Sequence, residues 1–421
     1  MNFSEELLSL SAKAEAALAP QFAKIAALAH SNTAKVMRAF AEHRVDAACF
    51  AGSSGYGYDD RGRETLDRMF ADVMGAEAAF VRHSIVNGTH ALTIGLFGLL
   101  RPNDIMLSIA GKPYDTLEEV IGIAGERGNG SLADYGVEYR QIDLVDGKTL
   151  DLDAIAAFLR SPEGERVKVC FIQRSKGYLN RRTLTVAEIG EAVKVVKSIR
   201  PDAFVVVDNC YGEFTEEIEP PAVGVDLAIG SLIKNPGGGM AETGGYLAGT
   251  ARAVELCSYR LTCPGIGLEV GATLGENKNM YRGLFYAPHT VAEALKTAHF
   301  AAYIFRALGY EVEPAPEEMR ADIIQTVKMQ SAAALCAFCR GIQAGSPVDA
   351  YVTPEPWAMP GYQDEVIMAA GTFVQGASIE LSADGPLKPP YTAFFQGGLT
   401  FESGRIGVLS AAAEVLRTQN T

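Results

Sequence analysis

The chain reads as an α/β protein built on a doubly wound, mostly parallel sheet, with a smaller α+β domain C-terminal to it. Three features point there. Short, continuously apolar runs rich in β-branched residues recur between about 78 and 231, and such runs read as strands buried on both faces. Helix-period segments separate them, the alternation that yields βαβ units. After about residue 285 the alternation stops, and a long helix gives way to short strands and Pro/Gly turns. The expected division is an N-terminal helical arm (1–50), a large α/β domain (51–285) and a small α+β domain (286–421).

Residues 5–48 are Ala/Leu-rich with charges at helical spacing, and Ala19-Pro20 predicts a break into two helices. Such an arm has no core of its own and is expected to pack on another subunit or on the C-terminal domain. The Gly-, Ser-, Asp- and Tyr-rich stretch 52–63 reads as an exposed loop able to approach a ligand. A dinucleotide fingerprint would need a strand before it, and the preceding segment is helical in pattern. A helix over 64–75 and a strand over 78–82 follow, then Asn87-Gly88-Thr89-His90 and an apolar helix to about Leu100. Strand, glycine turn and helix N-terminus together can hold a phosphate through backbone N–H groups and the helix dipole, with the Thr89 hydroxyl added. The same residues also suit a capped helix with no ligand.

The strand at 104–110 runs on to Tyr114, and an aromatic at a strand's carboxyl end can stack on a flat heteroaromatic ring. Helix 116–126, strand 137–144, helix 151–160 and strand 167–172 continue the alternation. Arg174 follows, either a fork for a carboxylate or a solvated charge. Helix 186–199 leads to the run 203–207, which ends on Asp208; the run 227–233 ends on Lys234 and a Pro/Gly turn. Residues 244–249 are expected as an antiparallel edge strand. The small domain opens with a helix over 291–308, and within 400–407 Arg405 is a candidate for a substrate carboxylate.

Ligands of open α/β sheets lie beyond the carboxyl ends of the strands, so Asp208 and Lys234 can face one crevice. A lysine amine paired with a carboxylate is what pyridoxal phosphate (PLP) requires. The lysine forms a Schiff base with the aldehyde, and the acid keeps the ring nitrogen protonated. Desolvation lowers a lysine's proton affinity and favours the nucleophilic amine. Taken alone, Lys234 also reads as a solvated strand end; the turn at 87–90 and Tyr114 upstream favour the cofactor.

Composition narrows the classes. The 421 residues are 48% apolar and 21% charged with a net charge of −14, and no basic patch of the kind that binds nucleic acid is evident. No run of 18 apolar residues marks a membrane span. The start, Met1-Asn2-Phe3-Ser4-Glu5-Glu6, lacks the order of a signal peptide, so a cytoplasmic protein is expected. Seven cysteines, an odd number lying mostly in apolar runs, read as buried free thiols. Cys336-Ala337-Phe338-Cys339 falls in a helix-like stretch, Cys210 reads as packing beside the cleft, and the six histidines show no metal-ligand spacing, so no metal is expected.

The ordered set of a glycine turn, Tyr114, Asp208 and Lys234 before a small C-terminal domain resembles the PLP-dependent transferases of fold type I across nearly the whole chain. Gly-Tyr-Gly-Tyr-Asp-Asp-Arg-Gly-Arg (55–63), Gly-Thr-His-Ala-Leu (88–92), Lys-Pro-Tyr-Asp-Thr-Leu (112–117), Gln-Arg-Ser-Lys-Gly-Tyr (173–178) and Gln-Gly-Gly-Leu-Thr (396–400) are similar to one branch, the bacterial methionine gamma-lyase-like family, also called aluminium resistance proteins. The resemblance implies Lys234 as the cofactor's lysine and proton shuttle, Asp208 at the ring nitrogen and Tyr114 on the ring face. It places Gly88, Thr89 and Ser231 on the phosphate. Better-known gamma-lyases add a Tyr-x-Arg pair from a neighbouring subunit; here the loop offers Tyr56 and Tyr58, with Arg61 later. Where those lyases place an Asn near the substrate carboxylate, this chain has roughly Arg174. The resemblance also implies a homotetramer, a dimer of tight dimers sharing active sites.

The resulting expectation is a PLP-dependent carbon–sulfur lyase acting on a sulfur amino acid, with elimination at Cγ or Cβ. Lys234, Tyr56 and Tyr114 form the catalytic set, Tyr58 joins the cofactor contacts, and Arg174 and Arg405 meet substrate. Two rivals remain at this stage: another PLP reaction of aminotransferase or aldolase type, and a non-catalytic PLP-binding stress-response protein.

Overall fold

The computed structural model describes residues 3–359 and 364–419. Its first element is one helix, α1 (Glu5–Glu42), with Pro20 inside it. The expected break is absent, and burial explains why. Leu7, Ser11, Ala14, Leu18, Ile25, Asn32, Val36 and Ala39 are buried at steps of three, four or seven. That seam keeps its phase straight through the proline, so side-chain packing outweighs one missing backbone hydrogen bond. Pro20 itself is exposed. Pro20→Ala restores the bond, and its expected result is a gain of up to about 3 kcal/mol, reduced by the greater freedom of the unfolded chain. A denaturation midpoint that stays put or falls would contradict this.

The chain divides into a large unit, Ala34–Leu232 with Met240–Phe285, and a small unit, Met1–Thr33, Ile233–Gly239 and Tyr286–Thr421. The large unit follows α1 with α2 (Arg61–Met74), β1 (Ala78–Arg82), α3 (Gly88–Leu99), β2 (Ile105–Ser108), α4 (Asp115–Ile121), β3 (Glu138–Gln141) and α5 (Leu152–Leu159). It continues through β4 (Val167–Gln173), α6 (Val186–Ile199), β5 (Phe204–Asp208), β6 (Leu227–Ser231), β7 (Gly245–Gly249) and α7 (Ala251–Leu261). Its seven-stranded sheet has the order β1-β7-β6-β5-β4-β2-β3. The pairs among β2 to β6 are parallel, and β7 runs antiparallel to both its neighbours. Residues 244–249 therefore form an interior strand; β1 takes the edge, with Ala78 opposite Gly249. The pairing joins segments far apart in sequence, so no local pattern marks it.

Both sheet faces are covered. Met106, Val169, Phe171, Val206, Leu227 and Ile229 pack with α3, α4 and α7. Their sequence neighbours Leu107, Cys170, Ile172, Val205 and Val207 pack with α5 and α6. Period-two alternation on a sheet apolar on both faces is why these strands read as continuous apolar runs.

In the small unit, α8 (Asn277–Ala307), which starts in the large unit and carries Pro288, begins well before the expected 291. β8 (Glu311–Glu313), β9 (Gln325–Lys328), α9 (Ala332–Ala344), β10 (Val366–Ala369), β11 (Ser382–Pro386), β12 (Thr392–Gln396) and α10 (Phe401–Gln419) complete it. The five strands form an antiparallel sheet in the order β10-β11-β12-β9-β8. Leu7, Ala14 and Leu18 of α1 join Phe305, Phe338 and Phe395 in its core, so the first part of the arm packs with the C-terminal segment.

Candidate active site

The carboxyl ends of β4, β5 and β6 set the site. Asp208, last residue of β5, pairs in register with Gln173 at the end of β4 and with Ile229 of β6. By strand alternation Gln173, Asp208 and Ser231 share the face on which Phe171, Val206 and Ile229 meet α3. Asp208 is 8% exposed, and its Oδ1 accepts the Cys210 N–H at 3.1 Å. The N-terminus of α3 belongs to this same layer. Asn87 caps it, its Oδ1 accepting the His90 N–H at 2.8 Å, and Gly88 and Thr89 form the first turn. The Thr89 hydroxyl is 2.8 Å from that of Thr116 in α4. Tyr114 stands just before α4, its ring edge-on to Tyr178 at 6.0 Å between centroids. Gly177, at φ +54°, lies against it: a Cβ there would come within 3.0 Å of both the Tyr114 ring and Gln173 Nε2.

Ser231 is wholly buried, and its hydroxyl has no hydrogen-bond partner. A buried hydroxyl left unpaired costs about 1–3 kcal/mol, which a phosphate oxygen would relieve. With a capped helix N-terminus, an acid and an aromatic ring on the same layer, these residues fit PLP. Lys234 follows Ser231 by three residues and precedes the turn Asn235–Gly237. Its loop is fastened within the small unit: Thr290 Oγ1 donates to Gly238 O at 3.1 Å, and a Cβ at Gly239 would strike Leu399.

The remaining predicted residues are held as follows. Arg174 is wholly buried; Nη1 donates to Asn209 Oδ1 at 2.7 Å, Nη2 to Glu216 Oε1 at 2.6 Å and Nε to Leu184 O at 3.3 Å. It shares the parity of Cys170 and Ile172, the opposite face from Asp208. Arg405 Nε donates to Ser11 Oγ at 3.0 Å and lies 3.1 Å from Glu15 in the small unit. Tyr56 and Tyr58 are 73% and 61% exposed, with ring centroids 5.6 Å apart. Their loop is tied down by hydrogen bonds. Gly271 N–H donates to Tyr56 O at 2.8 Å, and Arg63 Nη1 donates to Gly57 O and Gly271 O. Burial works against the Asp60 carboxylate, but bonds from Ser53, the Arg63 N–H, Thr273 and Asn277 outweigh it and hold its pKa below the ordinary value. Arg61 pairs with Asp46 at the surface.

Sequence reasoning passed over Gln173, which is 5% exposed with Nε2 donating to Ser175 O at 3.0 Å and Oε1 unpartnered. Its signal was parity: it lies two residues from Phe171 and opposite Asp208. Asn209, Glu219 and Tyr246, all buried, were missed because nothing local marks them.

This strand order, with an acid ending β5, a hydroxyl ending β6 and a lysine shortly after, is the fold type I architecture of PLP-dependent enzymes. A family model described as methionine gamma-lyase matches residues 7–416, and the chain belongs to that family. It is 50% identical over 415 residues to the uncharacterized protein YnbB of Bacillus subtilis (strain 168), covering 98% of both chains. A solved structure from Clostridium acetobutylicum, provisionally named a cystathionine beta-lyase involved in aluminium resistance, is 48% identical with a TM-score of 0.95, over 98% of this chain and 96% of that one. A carbon–sulfur lyase involved in aluminium resistance from Clostridium novyi NT is 49% identical with a TM-score of 0.93, over 97% and 96%.

Proposed function

We propose that this protein is a PLP-dependent carbon–sulfur lyase acting on a sulfur amino acid. The observation that carries the reading is the layer formed by Asp208, the unpaired Ser231 hydroxyl and the α3 N-terminus, with Lys234 three residues past Ser231. The relatives' lyase names support the same reading.

Gly88, Thr89 and Ser231 would hold the phosphate, Tyr114 the ring face, Asp208 a proton at the ring nitrogen, and Lys234 the aldehyde carbon. When bound, PLP supplies an electron sink conjugated with the substrate Cα. Lys234 Nζ takes the Cα proton. For loss of a Cγ sulfur it also moves a proton at Cβ; for loss of a Cβ sulfur one abstraction suffices. The C–S bond breaks with its electron pair on sulfur, and a tyrosine hydroxyl returns a proton to the thiolate. Tyr56, exposed on a hydrogen-bonded loop, suits that task toward a second copy of the chain, and Tyr58 beside it would contact the cofactor. Exposed Leu274, whose N–H donates to Ser53 O of the same loop, supports a homo-oligomer, a dimer of dimers by family likeness. All seven cysteines are free, which suits a cytoplasmic location, and no described helix is long and apolar enough to cross a membrane.

The test is incubation of the PLP-loaded protein with methionine, cystathionine, cysteine and homocysteine, assaying 2-oxo acid, ammonia and thiol. Stoichiometric 2-oxo acid and ammonia from at least one substrate is expected. Amino transfer to pyruvate without C–S cleavage would indicate an aminotransferase, and bound cofactor with no turnover would overturn the lyase reading.

A further inference from the structure

We infer that a buried cluster on the sheet face opposite the cofactor layer, formed by Arg174, Asn209, Glu219, Tyr246 and Glu213, positions the Asp208 carboxylate, with Asn209 as its centre. The inference rests on the cofactor reading above and deepens it.

Asn209 directly follows Asp208 and points to the other face. All its donors are used, and its side-chain oxygen accepts. Its N–H donates to Ile229 O at 2.9 Å, and its Oδ1 accepts Arg174 Nη1 at 2.7 Å. Its Nδ2 donates to Glu219 Oε2 at 3.1 Å and to Tyr246 OH at 3.2 Å. Tyr246 OH in turn donates to Glu213 Oε1 at 3.0 Å. The Arg174 N–H donates to the Asp208 carbonyl at 3.1 Å, so one residue grips Asp208 by its backbone and Asn209 by its side chain. All five residues are at most 1% exposed.

Two glycines make room for the cluster. A Cβ at Gly212 would lie 2.4 Å from Arg174 Nη1, and one at Gly230 2.4 Å from both Glu213 Oε1 and the Tyr246 ring. The segment leaving Asp208 is also strained. Tyr211 and Phe214 sit at φ +73° and +61°, where side chains other than glycine are disfavoured. Such backbone persists where its surroundings over-determine it. Here Glu219 Oε1 accepts the Phe214 N–H at 2.7 Å, and Thr215 Oγ1 donates to Gly212 O at 2.6 Å. Burial foremost, then Glu213 and Glu219, pushes the Tyr246 pKa far up, so its hydroxyl keeps its proton and remains a donor. The cluster thus spans the ends of β4 to β7 and fixes the direction in which Asp208 leaves the sheet.

The experiment is a double-mutant cycle on the PLP-loaded protein with Tyr246→Phe, Asp208→Asn and the pair, reading cofactor dissociation and visible-range circular dichroism of the bound ring. Tyr246→Phe removes one oxygen and keeps the ring. Its expected effect is a roughly three- to tenfold weaker hold on PLP and an altered dichroism band, the scale of one buried hydrogen bond. In the Asp208→Asn background the same change is expected to do nothing further, because the cluster acts through that carboxylate. Equal effects in both backgrounds would overturn the positioning role while leaving the cofactor reading intact. If Tyr246→Phe fails to fold, Asn209→Asp and Arg174→Lys complete the cycle in its place. Wild-type protein that takes up no PLP would overturn the cofactor reading, and this inference with it.

Discussion

Lys234→Ala is expected to abolish the visible absorbance band of the PLP-loaded protein and to lower turnover by at least about 10²–10⁴-fold, the range for losing a positioned proton-transfer group. The variant is expected to keep its far-ultraviolet dichroism. Lys234 lies between a strand and a short turn, and its loop is fastened by the bond from Thr290 Oγ1 to Gly238 O and by the close approach of Gly239 to Leu399. A single absorbance spectrum beside wild type decides the matter. A band that survives the substitution would mean that another amine meets the aldehyde. Lys176, 2% exposed and three residues past the end of β4, would be the first to test. Wild type without a band after added PLP would return Lys234 to an ordinary strand end.

Much of this architecture was legible because the chemistry of each strand end is local. Asp208 and Ser231 end their strands, Tyr114 and Thr89 follow the ends of β2 and β1 by six and seven residues, and a sheet whose strands run parallel sends such ends to one edge. Long-range consequences were not legible. The Pro20 break failed, and the helix expected from 291 begins earlier, because α1 and α8 are buried on both sides of their prolines, which a rule about backbone donors does not see. The interior place of β7 depends on β1, well over a hundred residues away. The fate of the two arginines is a matter of parity and packing. Arg174 sits one residue beyond Gln173, and that single step moves its side chain to the other face of the sheet. Arg405 lies in a ligand-like stretch, yet its guanidinium meets Ser11 and Glu15 of α1, nearly the whole chain away in sequence.

Arg174→Met separates the two tasks that can be set for that arginine. A strut predicts a loss in stability of about 3–5 kcal/mol, because removing one partner of a buried ion network leaves charge uncompensated. Glu219 is 1% exposed and lies 3.7 Å from Nη1, and the Asn209 and Leu184 oxygens also lose their donor. A substrate fork predicts the reverse pattern, a raised KM with an unchanged denaturation midpoint. Arg405→Met is the internal comparison. Its pair with Glu15 is 35% and 37% exposed, so solvent screening limits the loss to about 0–1 kcal/mol. Equilibrium denaturation of both variants, with KM measured on the same preparations, reads the two outcomes apart. A midpoint for Arg174→Met no lower than that for Arg405→Met would show that the buried guanidinium is not what holds the ends of β4 and β5 together. The strained turn after Asp208 would then need a different anchor.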